Sequence, residues 1–510
     1  MNDLAFAGTA GVIVLVAYAA IMLLVGFLAG RERPGSNKSV RGYYLAGNGL
    51  GLVALFFTLY ATQYSGNSVV GYAPTGYRMG VAWWQSVPFM TSIIVIYLLF
   101  APRLYVIAKR EGFVTPVDWI RHRFRSSAVA LLATILMLWG LGNYLLEQLV
   151  AMGHAIAGLT GETIPYQLGV VGFVVVMLVY SWAGGMRAVA YTDVMQGIAL
   201  LVGIFALLFG VLYLVGGDLG SVTQQLRESD PAKIGVPDMD TSINWFSMIV
   251  MIGFGAAMYP HAIQRIYAAR SERTLKRSLA AMAWMPLLTT GVVCVVGIVG
   301  IVLVPGLSDS ESEQLVGILA NRVADINPLF WVIMVIFFGG VVAAIVSTAD
   351  SALLSFSSVV SRDIYARYIG RESSERAQVM VGKVAGVIAI AILLVLAWNP
   401  PGSLYDIFVL KMELISQIAP AFILGLYWKR LSAWPVFLGM LTGALVASAL
   451  TIVGSDGWHG VPGGLIGLGA NVVICVVGSL LLPHRDPESA DTEHYVTPAA
   501  LATPPARVEA

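Results

Sequence analysis

Charge is what this sequence lacks. Asp, Glu, Lys and Arg make up only 12% of its 510 residues, while 58% are hydrophobic. A soluble domain carries roughly 25% charged residues. The deficit, together with long apolar runs, indicates a polytopic membrane protein. Cysteine is also scarce. Cys294 and Cys475 both lie in apolar runs, which leaves no disulfide framework and no metal-ligand spacing. No basic patch with interleaved aromatics points to nucleic acid. No Walker motif points to direct ATP coupling, and no Ser/His/Asp constellation to an enzyme. A basic leader is missing too: the first apolar run follows Asn2 and Asp3 and is too long for a signal peptide, so it is expected to be a retained span.

What is present is thirteen stretches of spanning length, at about 9–30, 52–78, 80–102, 127–159, 165–184, 188–216, 243–263, 279–304, 328–360, 378–398, 403–427, 433–454 and 461–482. With the N-terminus outside, the cytoplasmic segments hold 24 of the 30 Lys and Arg residues, as the positive-inside rule requires. The loops 217–242 and 305–327 are acidic and fall outside. Setting the first span aside, the next ten divide into two fives. Each five opens with an interrupted helix, and an odd number of spans gives the halves opposite topology. That is the inverted-repeat plan of many secondary transporters. The expected organisation is a leading helix and basic loop (1–51), a first repeat (52–216), an extracellular loop (217–242), a second repeat (243–430), two trailing helices (431–483) and a disordered cytoplasmic tail (484–510).

The stretch Leu52–Gly80 is the centre of this plan. It is apolar, yet Gly66, Gly71 and Pro74 interrupt it, and Thr62, Gln63, Ser65, Asn67 and Ser68 put polar side chains in its middle. A loosened backbone survives at membrane depth only where it lines protein or a water-filled cavity. Its freed carbonyls can replace water around a cation, and its amides and side chains can meet a solute. The second half has a matching break at Gly253, Gly255 and Pro260. In the eighth core span, Ala344, Ser347 and Thr348 are spaced i, i+3, i+4 and share one helix face. They offer neutral hard oxygens of the kind a monovalent cation takes.

Several motifs resemble the sodium:solute symporter family. Tyr180-Ser181-Trp182-Ala183-Gly184-Gly185, followed by Thr192-Asp193-Val194-Met195-Gln196, is similar to its signature. So are Tyr43-Tyr44-Leu45-Ala46-Gly47, Ile263-Gln264-Arg265, Ser347-Thr348-Ala349-Asp350-Ser351 and Leu424-Gly425-Leu426-Tyr427-Trp428-Lys429-Arg430. The resemblance implies an all-α fold of the LeuT-like five-plus-five type, with one leading and two trailing helices. It implies sodium as coupling ion, no organic cofactor, and a sodium site formed by the carbonyls of Ala61 and Tyr64 with Ala344, Ser347 and Thr348. Asp193, one turn into a helix after a tight Gly184-Gly185 turn, is expected on the cation exit path; the alternative is an interfacial helix-start acid. Gln63 stands where proline-type members carry Asp.

By position, the solute site should draw on Gln63, Ser65, Asn67, Ser68, Gln85, Asn143, Tyr144, Glu147, Gln148, Tyr259 and Gln417. Lys411 and Glu413 are intramembrane charges that either serve the site or snorkel near a helix end. His154 and His261 are expected as packed or interfacial histidines. The reading is a sodium-coupled symporter in the cell membrane, with a monomeric functional unit in the lipid bilayer, importing a small polar organic solute. A monocarboxylate or related organic acid is expected; an amino acid, vitamin or sugar, and a sodium- or proton-driven cycle, are the alternatives. A transporter-fold sensor is the more remote rival.

Overall fold

The computed structural model describes residues 39–400, 402–453 and 460–482, with 12, 13, 15–17, 19, 20 and 24 of the first apolar run; the side chains of 67, 159, 179–185, 187 and 188 are outside the described set. The leading span 9–30 and the tail 484–510 therefore lie almost wholly outside the described residues. Among those described there is no β-strand.

The labelled helices are α1 (Leu52–Gln63), α2 (Tyr72–Met79), α3 (Ser86–Glu111), α4 (Ser127–Leu159), α5 (Tyr166–Leu214), α6 (Met239–Ala257), α7 (Pro260–Ala268), α8 (Glu272–Met282), α9 (Val292–Leu303), α10 (Pro328–Val359), α11 (Glu375–Trp398), α12 (Leu404–Ile415), α13 (Ala419–Tyr427), α14 (Ala433–Ile452) and α15 (Gly463–Leu481). Each expected span after the first has a counterpart. Among the described residues, nine helices are long and apolar enough to cross a membrane, or ten with the α6–α7 pair, against thirteen expected spans of which the first lies almost wholly outside those residues. Broken helices account for part of the difference: α1 is 12 residues long, too short to cross alone.

Helical hydrogen bonding also runs through α5 without a gap where a tight turn was expected at Gly184-Gly185. The chain still doubles back. Gly172 and Val176 share a cavity with Val342 and Val346 of α10, while Gly203 abuts Phe337 of the same helix. A straight helix would hold 176 and 203 about 40 Å apart. The reversal therefore lies between 176 and 203.

α10 is the spine. It packs along α5 and α4, while α1 packs on α5 and α8, α3 on α6, and α12 on α4; α14 and α15 form a closing pair. Close approach needs a missing side chain at Gly340, where a Cβ would lie 2.8 Å from the Ala199 carbonyl carbon. Small residues at such contacts are the usual device for packing helices in lipid, where apolar burial gives no net drive. Pro286 is absorbed by a π-helical turn, Pro286–Gly291, between α8 and α9. Apolar residues such as Ile388, Ile392 and Val395 on α11 face outward, as a bilayer-facing surface requires.

The loops separate into two faces. On one, Arg78 pairs with Glu313 at 2.9 Å, Lys233 reaches the Arg78 carbonyl, and Gln314 meets Glu162. On the other, Arg41 bonds the Gly112 carbonyl, Thr115 bonds Asp363, and Arg123 bonds the carbonyls of Trp428 and Leu431. Segments grouped by charge in the sequence are thus grouped in space. Accessibility reporters at Asp230 and Glu311 are expected on one side of the membrane and one at Arg273 on the other; labelling of Asp230 and Arg273 from the same side would break the topology.

Candidate functional site

The site begins where α1 stops. Tyr64 (φ −110°, ψ 80°) leaves the helix after donating to the Tyr60 carbonyl, and helical bonding resumes with Val70 N–H on the Gly66 carbonyl at 2.8 Å. A Cβ on Gly66 would lie 1.7 Å from Ile345 Cγ1, so only glycine lets the break rest on α10. Pro74 does not break the chain as expected. It sits in the first turn of α2, where a helix has no partner for a backbone N–H.

Carbonyls in the last two turns of α1 are held by three other helices. Thr348 Oγ1 on α10 donates to the Ala61 carbonyl at 2.8 Å. Tyr144 OH on α4 donates to the Thr62 carbonyl at 2.8 Å. Arg265 Nε on α7 donates to the Thr58 carbonyl at 3.1 Å. Ser347 Oγ donates back to the Ala344 carbonyl at 3.3 Å. Ala61, Ala344, Ser347 and Thr348 are all buried, and the Gly66–Ile345 contact sets the Tyr64 end of the break against the same turn of α10.

One turn away lies a buried charge cluster. Asp193 on α5 accepts a bond from Thr58 Oγ1 and faces Arg265 Nη2 at 3.8 Å. Arg265 also donates to Ser351 Oγ and, at 2.8 Å, to the His261 carbonyl. Both ionic side chains are 0% exposed. Asp193 is therefore no interfacial acid, and Arg265, counted in sequence as a loop charge, is a core residue.

The other break, between α6 and α7, bends the axis by 55°. α6 ends at Ala257, and Tyr259 is the N-cap of α7, which Pro260 opens. The two breaks are joined by Gln63, which donates to Tyr97 OH at 2.7 Å, and by Tyr97, which donates to the Ala256 carbonyl at 3.2 Å. Beside them is a narrow cavity lined by Gln63, Ser65, Ser68, Tyr144, Glu147 and Tyr259, all expected, and also by Tyr72, Met90, Phe408, Lys411 and Met412. Lys411 forms an ion pair with Glu147, and both are buried. Lys411 does not snorkel or pair with Glu413, which instead accepts a bond from Thr451 on α14. His261, the second residue of α7, is fully buried and stacked on Tyr144 and Tyr259 at 4.8 and 5.1 Å, a packed histidine rather than an interfacial one.

A profile of the sodium:solute symporter family matches residues 43–443. The chain belongs to that family. Among curated relatives of this symporter-family chain are a sodium/glucose cotransporter of Vibrio parahaemolyticus (27% identical; 84% of this chain and 83% of the relative), the osmoregulated proline transporter OpuE of Bacillus subtilis strain 168 (26%; 91% and 94%), and a sodium/pantothenate symporter of Escherichia coli K12 (25%; 86% and 89%). A Na+-coupled sialic acid symporter in a substrate-bound outward-open state has the same LeuT-like fold (TM-score 0.77, 19% identical; 94% of this chain and 98% of that one). The protein is thus a multi-pass membrane transporter and not an enzyme.

Four expected solute residues in this family member do not line the cavity. Gln85 is buried in the turn before α3. Asn143 Nδ2 bonds back to the Trp139 carbonyl at 3.0 Å. Gln148 is buried with its Nε2 3.5 Å from the Tyr144 carbonyl. Gln417 donates to the Glu413 and Gly464 carbonyls at 2.9 Å, fastening the end of α12 to α15. The Asn67 side chain lies outside the described residues. Arg265, Tyr72 and Phe408 are site residues that the sequence reading missed. His261, Gln264 and Arg265 share a helix face at i, i+3, i+4, and that polar stripe was the available signal for Arg265.

Removing one partner of a buried ion pair costs about 3–5 kcal/mol. Asp193→Asn should therefore lower the thermal midpoint of the purified protein by several degrees, and Asp193→Asn/Arg265→Gln should recover most of the loss. An unchanged midpoint in the single variant would place Asp193 outside a structural pair.

Proposed function

We propose that this protein is a sodium-driven symporter that imports a small organic solute bearing a carboxylate, a monocarboxylate or related organic acid, by alternating access. The observation that carries the reading is the shared use of one broken helix. Within three residues, α1 presents the Ala61 carbonyl to Thr348 and the Gln63 side chain to the cavity. Sodium ligated there by Ala61, Tyr64, Ala344, Ser347 and Thr348 would fix the end of α1 against α10, and so bias the conformation in which Gln63 and Ser65 meet solute. These five residues supply neutral oxygens of the type sodium prefers. Asp193, one turn from Thr348 by way of Thr58 and Ser351, is suited to receive the ion on its way to the cytoplasm.

Lys411 supplies the case for a carboxylate. A lysine ammonium at membrane depth is retained for a partner or a function, and here it faces the cavity beside Gln63, Ser65 and Ser68. Two of the relatives are named for solutes that carry a carboxylate, proline and pantothenate. The orientation that agrees with the charged loops is N-terminus outside and C-terminus cytoplasmic in the cell membrane, with no organic cofactor.

Uptake into proteoliposomes under an inward sodium gradient, against potassium as control, tests the reading across carboxylates and sugars. Thr348→Ala and Ser347→Ala should each raise the sodium concentration for half-maximal uptake several-fold, with less effect on solute affinity at saturating sodium. A wild-type sodium dependence in the double variant would remove these hydroxyls from the ion site.

A further inference from the structure

The Glu147–Lys411 pair presents both signs of charge to one cavity. Its two side chains are 1% and 0% exposed and both line the same cavity. The Lys411 ammonium also lies 4.1 Å from the ring centre of Tyr144, 4.9 Å from Phe408 and 5.5 Å from Tyr259. A carboxylate set among three aromatic faces is a receptor for an ammonium group, and Lys411 fills that receptor with its own. A solute carrying only a carboxylate would compete with Glu147 for Lys411 and weaken a buried ion pair, which is costly when one partner is withdrawn. A zwitterion with both charges on one carbon avoids the cost. Its ammonium takes the place of the lysine ammonium between Glu147 and the rings, and its carboxylate goes to Lys411. Four charges then alternate in sign and none is left alone.

We propose that the Glu147–Lys411 pair is a self-filled receptor that a small α-amino acid opens by exchange, with Glu147 and its aromatic box selecting the ammonium and Lys411 the carboxylate. Met90, Ile93 and Met412 form the neighbouring wall, which suits an apolar side chain. This rests on the reading of the cavity as the solute site of a sodium-driven symporter, and narrows the solute from any organic acid to one with an ammonium.

The test is sodium-dependent uptake into proteoliposomes of a set of α-amino acids, each against its desamino acid and its decarboxylated amine, with alanine, propionate and ethylamine as the smallest trio. The wild type should prefer at least one amino acid over its desamino acid by about 100-fold or more, since a site with a buried polar group left unpaired rejects the analogue strongly. Glu147→Gln should collapse that preference to within about tenfold, because Lys411 is then free to take the carboxylate alone. The pair-neutral Glu147→Gln/Lys411→Gln variant, checked for thermal stability, should lose both solutes while retaining fold. Sodium-driven uptake of the desamino acids at rates matching the amino acids, or a preference unchanged in Glu147→Gln, would overturn the exchange and leave the carboxylate symporter standing. Absence of sodium-driven uptake for every carboxylate in the set would overturn the symporter reading itself. If Glu147→Gln fails to fold, the wild-type selectivity series decides alone.

Discussion

Everything in this molecule depends on how an interrupted helix is made tolerable inside a bilayer. A helix end exposes carbonyls that nothing in hydrocarbon can satisfy. Here the end of α1 is met by a hydroxyl of α10, a phenol of α4 and a guanidinium of α7. The first two contacts satisfy end carbonyls, and all three tie different parts of the protein to the last two turns of α1. A change at any one of these helices is felt at Ala61–Gln63. The segment that must be weak for transport is therefore one held by several long-range partners.

Buried charge follows the same economy. Asp193 and Arg265 neutralise each other one turn from Thr348, and Glu147 and Lys411 do so in the cavity. Neither pair is a strong argument for stability, since desolvation offsets the attraction. Both are better understood as charges that are cheap to keep while matched and costly to leave unmatched. That property lets an arriving ion or solute change which arrangement of helices is favoured. The two pairs lie on either side of the α1 break, the first towards the face that carries Arg123 and Arg41, the second against the second break at Tyr259.

Much of this was legible in the chain. The apolar spans, the sidedness of the charged loops, the break at Tyr64–Gly66 and the oxygen-bearing face of α10 all follow from patterns a few residues long. Pro74 misled because proline is harmful only where an amide is needed, and its place in the first turn of α2 was not visible without the restart at Gly66. Arg265 was misassigned because a basic residue after an apolar run reads as a loop, whereas α7, bent by 55° from α6, is buried along its whole length. Gln417 and Glu147 look alike in sequence, each a polar group within a span. One closes a helix end against Gly464 and the other faces the cavity, and helix phase relative to distant partners separates them.

The central claim is that sodium bridges the end of α1 to α10. Hydrogen–deuterium exchange of the purified protein, compared in sodium and in potassium at equal ionic strength, tests it most directly. The account predicts slower exchange in sodium, concentrated in the amides of residues 64–70 and in α10 around Ala344–Ser351, with little change in α14 and α15. Identical exchange at the break in the two salts, or protection spread evenly over the helices, would contradict it.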